Sequence, residues 1–146
     1  MAILEGEFMT TSDRCVIVAS SAGSYEGKQG HTFLAGISRT TAGSTQLCLH
    51  VMELPPATAA KPHLHAGHES AAFIVSGEVD VHHGPGLIHL DRAGPGDFVF
   101  IPAGVPHVPV NRSPDTPAII VLARTDPNEQ ESVELLDIEI PEPARI

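Results

Sequence analysis

The stretch GDFVFIPAGVPHVPVN at residues 96–111 decides how this 146-residue chain folds. Its apolar run Phe98–Ile101 predicts a strand, and the Pro-Ala-Gly sequence after it suits a tight turn that reverses the chain. His107 then begins a return strand. Asn111 lies on the same face as His107, because side chains along a strand alternate with a period of two. The stretch predicts a hairpin that carries an imidazole and an amide on one face.

A second cluster of polar residues, HLHAGHE at residues 63–69, comes before this hairpin. His63 and His65 are two apart, so on a strand both side chains project to the same face. Neutral imidazole is the commonest metal ligand in proteins, and two of them on one face make half of a coordination shell. Two plainer alternatives stay open at this point: an edge strand with solvent-facing histidines, and a His107 that only hydrogen-bonds a carbonyl.

Outward from these clusters the sequence predicts an all-β sandwich or barrel. Short apolar runs punctuated by Gly and Pro recur about every ten residues. The predicted strands are Val16–Ser20, Leu47–Leu54, Ala71–Val75, Val79–His82, Leu87–Leu90, Phe98–Ile101 and Ala118–Ala123. Ser76–Glu78 is predicted to form a hairpin turn and Val133–Ile140 an edge strand. Helix is limited to a turn near Ser12–Arg14.

The composition excludes several classes of function. The net charge is −10, which disfavours nucleic acid and anionic membrane surfaces as partners. The longest apolar run, Ala118–Ala123, is far shorter than the roughly 20 residues of a membrane span. Glu5 and Glu7 stand where a signal peptide would be basic, so a cytoplasmic location is expected. Cys15 and Cys48 match no metal or redox pattern and are expected to be reduced thiols.

Taken together, the two clusters resemble the two motifs of the cupin superfamily, G(X)5HXH(X)3–4E(X)6G and G(X)5PXG(X)2H(X)3N. The second motif is matched at every position. The first is matched at His63, His65 and Glu69, but Ala57 replaces its leading Gly, and seven residues rather than six separate Glu69 from Gly77. The resemblance implies a double-stranded β-helix, a jelly-roll-like β-barrel. One domain would span residues 1–146, with N-terminal strands in 1–44, a core at about 45–125 and an acidic tail at 126–146. It also implies a divalent metal in the barrel and a homodimer.

The extra residue in the first motif leaves the fourth metal ligand open. Counting back from Gly77 along the strand places the glutamate position of the family on Ser70. His68 shares the parity of Ser70, whereas Glu69 points the other way unless a bulge intervenes. Our first expectation is a ligand set of four histidines, and the alternative replaces His68 by Glu69. The four histidines are His63, His65, His68 and His107. All-imidazole ligation suits Zn, Ni or Cu, whereas a carboxylate favours Fe(II) or Mn.

Within the superfamily, the single-domain size and the HxHxxHE segment resemble the small zinc-containing polyketide cyclases. This resemblance implies an aldol cyclisation and dehydration of a poly-β-ketone, with Zn²⁺ as Lewis acid and an apolar substrate. His50 and Glu69 are candidates for the base. Basic residues near the motifs are scarce, with Arg39 and Arg92 the nearest, which disfavours a sugar phosphate. An Fe or Mn dioxygenase and a non-catalytic metal- or ligand-binding cupin are the alternatives.

Overall fold

The computed structural model describes residues 13–20, 23–28, 30–128 and 132–141. Strands are the predominant regular structure among these residues, and the rest are mostly turns and loops. The strands are β1 (Ser24–Glu26), β2 (Thr32–Ile37), β3 (Cys48–Leu54), β4 (Thr58–Ala59), β5 (His63–His65), β6 (Ser70–Ser76), β7 (Val79–His83), β8 (His89–Ala93), β9 (Phe98–Ile101), β10 (His107–Asn111), β11 (Ala118–Arg124) and β12 (Val133–Leu135). One α-helical turn, α1 (Arg39–Ala42), follows β2, and a 3₁₀ turn (Pro85–Leu87) precedes β8.

The strands form two antiparallel sheets. The first has the order β1-β2-β3-β11-β6-β9, and the second has the order β12-β5-β10-β7-β8, with β4 also paired to β10. Strands that are distant in sequence are neighbours in both sheets, as the predicted double-stranded β-helix requires. The all-β prediction is therefore confirmed.

The core lies between the inner faces of the two sheets. Strand β3 illustrates how the sequence builds it, because alternate side chains from Cys48 to Leu54 are buried and those between them are more exposed. Strands β2, β6 and β11 add their own inward residues to the same cluster, and Val79 and Ala93 join from the second sheet. The buried members of this cluster are Phe33, Met52, Leu54, Ala72, Ile74, Val79, Ala93, Ala118 and Ile120.

Two of the predicted local features are wrong. The run Val16–Ser20 forms no strand, and Ile17 is 92% exposed, because no strand in the described part of the chain covers its apolar side chains. The segment Ser76–Glu78 is not a hairpin turn. Strand β6 pairs with β9 and β11 in one sheet, whereas β7 pairs with β8 and β10 in the other. The chain therefore crosses between the sheets at Gly77, whose φ is 78°.

The remaining differences concern the ends of elements. The helical turn is α1 rather than a turn near Ser12–Arg14: Asp13 and Arg14 are not helical, and Ser12 is outside the described residues. Ser38 begins α1 with a capping box, in which its hydroxyl accepts from the Thr41 backbone N–H and the Thr41 hydroxyl accepts from the Ser38 N–H. Strand β12 forms only the first three residues of the edge strand predicted over Val133–Ile140, and it pairs with β5. In the part of the chain that is described, no helix has the length and apolarity needed to cross a membrane.

Candidate metal centre

Three histidines converge on the interior of the barrel. His63 and His65 lie on β5 and His107 begins β10, and the two strands pair so that His107 is opposite His63. All three side chains are buried. The ring centroids of His63 and His107 are 4.3 Å apart, and His65 lies 5.1 Å from His63 and 5.4 Å from His107. One ring nitrogen of each lies within 4.8 Å of those of the other two.

Hydrogen bonds and burial prepare these rings as neutral ligands. His63 Nδ1 lies 2.7 Å from the Lys61 carbonyl and His107 Nδ1 lies 2.9 Å from the Val105 carbonyl. A carbonyl can only accept, so in both rings Nδ1 carries the proton and Nε2 keeps its lone pair for a metal. Burial lowers the pKa of His63 to about 3, of His65 to about 2 and of His107 to about 4. The rings are therefore neutral at pH 7.

The donor set fits a divalent transition metal. Imidazole nitrogens bound to one Zn²⁺ at about 2.1 Å lie roughly 3.4 Å apart, so the three nitrogens need to approach one another by little more than an ångström. Three neutral imidazoles without competing hydrogen bonds at Nε2 are donors that such a metal prefers. The described residues contribute no carboxylate to this group.

The histidines face a small apolar cavity of about 60 Å³. Its walls come from both sheets and are mostly aliphatic. Besides the three histidines, the lining residues are Phe33, Met52, Ala60, Ser70, Ala72, Ile74, Val79, Val81, Val99, Ile101, Pro109, Ile120, Leu122 and Arg124. A wider cleft of about 390 Å³ lies beside it and shares Val81, Val99, Ile101 and His107 with the cavity. The site can hold a small group at the histidines and the rest of a molecule in the cleft.

The structure does not bring either candidate for a fourth ligand into this group. Nδ1 of His68 donates to the Thr125 carbonyl at 2.7 Å, and its Nε2 lies 3.8 Å from an Asp126 carboxylate oxygen. The Glu69 side chain is exposed. Strand β6 begins at Ser70, so the residue that faces the cavity at the glutamate position is Ser70, as the count from Gly77 indicated.

His50, the other candidate for the base, lies behind the cavity rather than on its wall. It points inward from β3 and is buried, with its ring 4.9 Å from that of Phe33 in an edge-to-face arrangement. Burial, and to a lesser extent the charge of Arg124, lower the pKa of His50 to about 3. A group with this pKa is a weak base at neutral pH. The catalytic roles of His50 and Glu69 stay predictions, and neither side chain lines the cavity.

Sequence reasoning missed Arg124, the one residue with a permanent charge among the described residues that line the cavity. It ends β11, is only 3% exposed, and its Nε donates to the Ser70 hydroxyl at 3.1 Å. The signal was available, because Arg124 continues the inward alternation of Ala118, Ile120 and Leu122 by one more step. The two basic residues that the sequence analysis named as nearest to the motifs do not line the cavity. Arg39 is exposed, and Arg92 is paired with Asp80 at 2.7 Å.

Asn111, the last residue of the second motif, has a structural role. Its side-chain amide donates to the carbonyls of Leu54 at 3.0 Å and Thr116 at 2.9 Å, and its oxygen accepts from the Ser113 N–H at 3.0 Å. The fully buried side chain therefore joins the end of β10 to β3 and to the loop before β11. It fixes the strand that begins with His107.

Comparison with known proteins identifies the family. The sequence matches the family described as a cupin domain over residues 50–123, which includes all three histidines of the metal centre. This chain belongs to the cupin family. No curated protein matches the sequence at a significant level.

Solved structures share the cupin fold at low sequence identity. Oxalate decarboxylase from Bacillus subtilis has a TM-score of 0.68 and 19% identity over 88% of this chain, which spans only 34% of that enzyme. The polyketide cyclase RemF from Streptomyces resistomycificus has a TM-score of 0.65 and 23% identity, with 86% of this chain and 88% of RemF covered. A conserved protein with a double-stranded β-helix domain from Klebsiella pneumoniae has a TM-score of 0.59 and 17% identity, covering 87% and 99%.

Proposed function

We propose that this cupin is a metal-dependent enzyme that acts on a largely apolar small molecule, and that it is an aromatic polyketide cyclase. The observation that carries the proposal is the convergence of three buried, neutral histidines on a cavity with aliphatic walls. The single-domain length, which RemF shares over most of its chain, gives further support. We assign Zn²⁺ to the site, because three imidazoles without a carboxylate suit zinc better than iron or manganese.

The size of the cavity limits which part of a substrate reaches the histidines. A cavity of about 60 Å³ has room for about four water molecules, far below the roughly 300–1,000 Å³ of a pocket for a drug-sized ligand. A poly-β-ketone would therefore place one dicarbonyl unit in the cavity and the rest of its chain in the adjoining cleft, along Val99 and Ile101.

The protein contributes binding, orientation and exclusion of water. His63, His65 and His107 would hold the metal, which when bound supplies Lewis-acid polarisation of a carbonyl oxygen. Aliphatic side chains around them exclude water and hold the flexible chain in one folded conformation, which brings the reacting carbons together and limits wrong ring closures.

The metal centre is tested first by metal content. We expect His63→Ala and His107→Ala to lose bound zinc while the fold persists, and His89→Ala, which changes an exposed histidine, to retain it. Plasma emission spectroscopy measures the metal, and circular dichroism measures the fold. Unchanged zinc occupancy in both site variants would refute the site.

The reaction is tested with a synthetic poly-β-ketone thioester. We expect zinc-loaded protein to produce an aromatic product, followed by its ultraviolet absorbance and mass, and metal-stripped protein or His107→Ala to produce none. The same reaction is followed with an oxygen electrode. Oxygen uptake with iron or manganese, without ring formation, would establish a dioxygenase instead, and metal binding without turnover would indicate a non-catalytic cupin.

We further propose a homodimer formed through the outer face of the first sheet. Cross-strand partners there form an apolar row from β2 to β9, consisting of Leu34, Val51, Val121, Phe73 and Phe98. Leu34 is 54% exposed and Phe98 is 80% exposed. The six strands hold 34 residues, which at about 3.4 Å along a strand and about 4.8 Å between strands give a face of roughly 550 Å², somewhat below the ~800 Å² that each partner buries in a standard interface.

The homodimer is tested by sedimentation. We expect the double variant Leu34→Glu/Leu49→Glu to be monomeric, since four like charges would meet in the interface. Ile88→Glu, at an exposed position outside this sheet, should leave the dimer intact. A monomeric wild-type protein would contradict the proposal.

We place this enzyme in the cytoplasm, without nucleic acid or membrane partners, in keeping with its net charge of −10.

A further inference from the structure

A buried carboxylate and a histidine face each other in a pocket outside the barrel cavity, beside the loop that follows β11. Asp126 is only 3% exposed, and it lines this pocket of about 400 Å³ together with His68. None of the described residues that line the pocket also lines the cavity of the three histidines. The pocket therefore presents metal-ligating groups that the proposed function does not use.

The two oxygens of the Asp126 carboxylate have different surroundings. Oδ1 accepts from the Asn128 backbone N–H at 2.9 Å. Oδ2 is buried and accepts no hydrogen bond within the part of the chain that the structure describes. A buried carboxylate oxygen without a hydrogen bond is costly, and a bound ion or an ordered water is a usual explanation for such a group.

His68 directs a lone pair, rather than a proton, toward this oxygen. Its Nδ1 lies 2.7 Å from the Thr125 carbonyl oxygen, which can only accept, so Nδ1 carries the proton of the neutral ring. Nε2 is then an acceptor, and it lies 3.8 Å from Asp126 Oδ2. That separation exceeds the roughly 2.7–3.2 Å of an N–H···O hydrogen bond even for a protonated ring. The two atoms face each other across a gap that no hydrogen bond closes.

The gap has the width that a cation requires. Two ligand atoms that each lie about 2.1 Å from one divalent ion are roughly 3.0–3.4 Å apart, so Nε2 and Oδ2 need to approach each other by less than about 1 Å. Ser132 lines the same pocket and is 8% exposed, and its hydroxyl has no hydrogen-bond partner among the described residues. One imidazole with two oxygens is a harder donor set than the three imidazoles of the barrel.

We propose that this pocket is a second divalent-cation site, in which Asp126 and His68 are ligands and Ser132 offers a hydroxyl. The inference does not rest on the proposed function. The ion would join the loop between β5 and β6, the loop after β11 and the residue before β12, to which these three side chains belong. Two of these segments already meet, because the Ala66 N–H donates to the Ser132 carbonyl at 2.9 Å. Zinc prefers the three imidazoles of the barrel, so this site takes an added, harder cation such as Mn²⁺.

The test is Mn²⁺ binding to zinc-loaded protein, followed through the electron paramagnetic resonance signal of the free ion. We expect the wild type to bind one Mn²⁺ per chain. Asp126→Asn should bind it at least about tenfold more weakly, because the charged ligand becomes neutral. Asparagine retains the oxygen that accepts from the Asn128 N–H, so the local backbone is preserved. Equal affinity in the wild type and Asp126→Asn overturns the proposal.

Asp91→Asn is the matched control. It also removes one negative charge next to an imidazole, but Asp91 is already hydrogen-bonded to His83 at 2.8 Å and lies outside the pocket. We expect this variant to change the Mn²⁺ affinity less than about twofold. A loss as large as that of Asp126→Asn would show diffuse attraction of the ion to a chain with a net charge of −10, and would refute the site.

A second measurement separates a cation site from a plain ion pair between His68 and Asp126. Bound Mn²⁺ should broaden the amide NMR signals of His68 and Ser132 in the wild type and leave them sharp in Asp126→Asn. An ion pair predicts instead that ¹⁵N NMR shows His68 protonated at both ring nitrogens at pH 7, with no saturable Mn²⁺ binding. That result overturns the proposal.

Two further variants keep the proposal testable if Asp126→Asn does not fold. His68→Gln and Ser132→Ala each remove one of the other groups, and wild-type Mn²⁺ affinity in both would refute the site. Metal-stripped His107→Ala lacks a ligand of the barrel centre and should still bind one Mn²⁺ at this pocket. Failure of the barrel metal centre and failure of the second site are thereby distinguishable.

Discussion

The stability of the metal-free protein should fall steeply as the pH is lowered from 7 to 5. An unfolded histidine has a pKa of 6.5, but in the folded chain the pKa is about 3 for His50 and His63, about 2 for His65 and about 4 for His107. Between these values the unfolded state binds protons that the folded state does not. Stability is therefore fully present above pH 6.5 and decreases as the pH falls toward the folded values.

The size of this effect follows from the same pKa values. From pH 7 to pH 5 each histidine that stays neutral in the folded state lowers the free energy of unfolding by about 1.9 kcal/mol. Four such residues give about 7.6 kcal/mol as an upper limit, which is comparable to the total stability of a typical domain. Burial alone would raise the pKa of Asp80, but its hydrogen bonds to Arg92 and Arg112 outweigh burial and lower it. The contribution of this carboxylate to stability is therefore lost only at a lower pH than the contribution of the histidines.

Urea unfolding of EDTA-treated protein, followed by circular dichroism at pH 7, 6 and 5, measures this dependence. We expect His65→Gln to remove about a quarter of the decrease in the free energy of unfolding between pH 7 and pH 5. His89→Gln changes an exposed position and should show the same decrease as the wild type. A free energy of unfolding that varies by less than about 2 kcal/mol between pH 7 and pH 5 would show that the buried rings are not kept neutral. The account of the histidines as neutral, preformed ligands would then be wrong.

Three further predictions concern residues around the centre. Neither His68→Ala nor Glu69→Ala should change the zinc content measured by plasma emission spectroscopy, because neither side chain belongs to the histidine group. Loss of zinc in one of these variants would show that the substituted residue is a metal ligand. Asn111→Ala should lower the free energy of unfolding in urea by about 2–4 kcal/mol, since it leaves the buried carbonyls of Leu54 and Thr116 unpaired; a loss below about 1 kcal/mol would argue against this role. Gly77→Ala should reduce thermal stability, because a Cβ would lie 2.6 Å from the Pro117 carbonyl oxygen, and an unchanged melting temperature would contradict that contact.

The sequence predicted the face that carries the three histidines well, because that face depends on local geometry. His63 and His65 share a face through the two-residue repeat of a strand, and the tight turn before His107 is encoded by its Pro and Gly residues. The structure shows both, and it places Ser70 toward the cavity as the count from Gly77 indicated. The same count favoured His68, whose ring instead donates to the Thr125 carbonyl and does not join the histidine group.

The features that the sequence could not supply are those set by distant parts of the chain. The apolar run Val16–Ser20 resembles a strand but pairs with no strand among the residues that the structure describes, so local propensity alone was insufficient. Likewise, Gly77 marks a turn in the sequence, but only the pairing of β6 and β7 with different sheets reveals a crossing between sheets. Arg124 was missed because its strand was predicted to end one residue earlier, at Ala123.

The pairing of His107 with His63 has a consequence for the order of assembly. These ligands are 44 positions apart, so a complete coordination sphere cannot exist until β5 and β10 have met. In an unfolded chain the nearby His63 and His65 could capture an ion only weakly, because His107 would not yet be beside them. Metal capture would thus report that folding is complete rather than initiate it, and the ion would act as a late cross-link between two strands joined by few backbone hydrogen bonds.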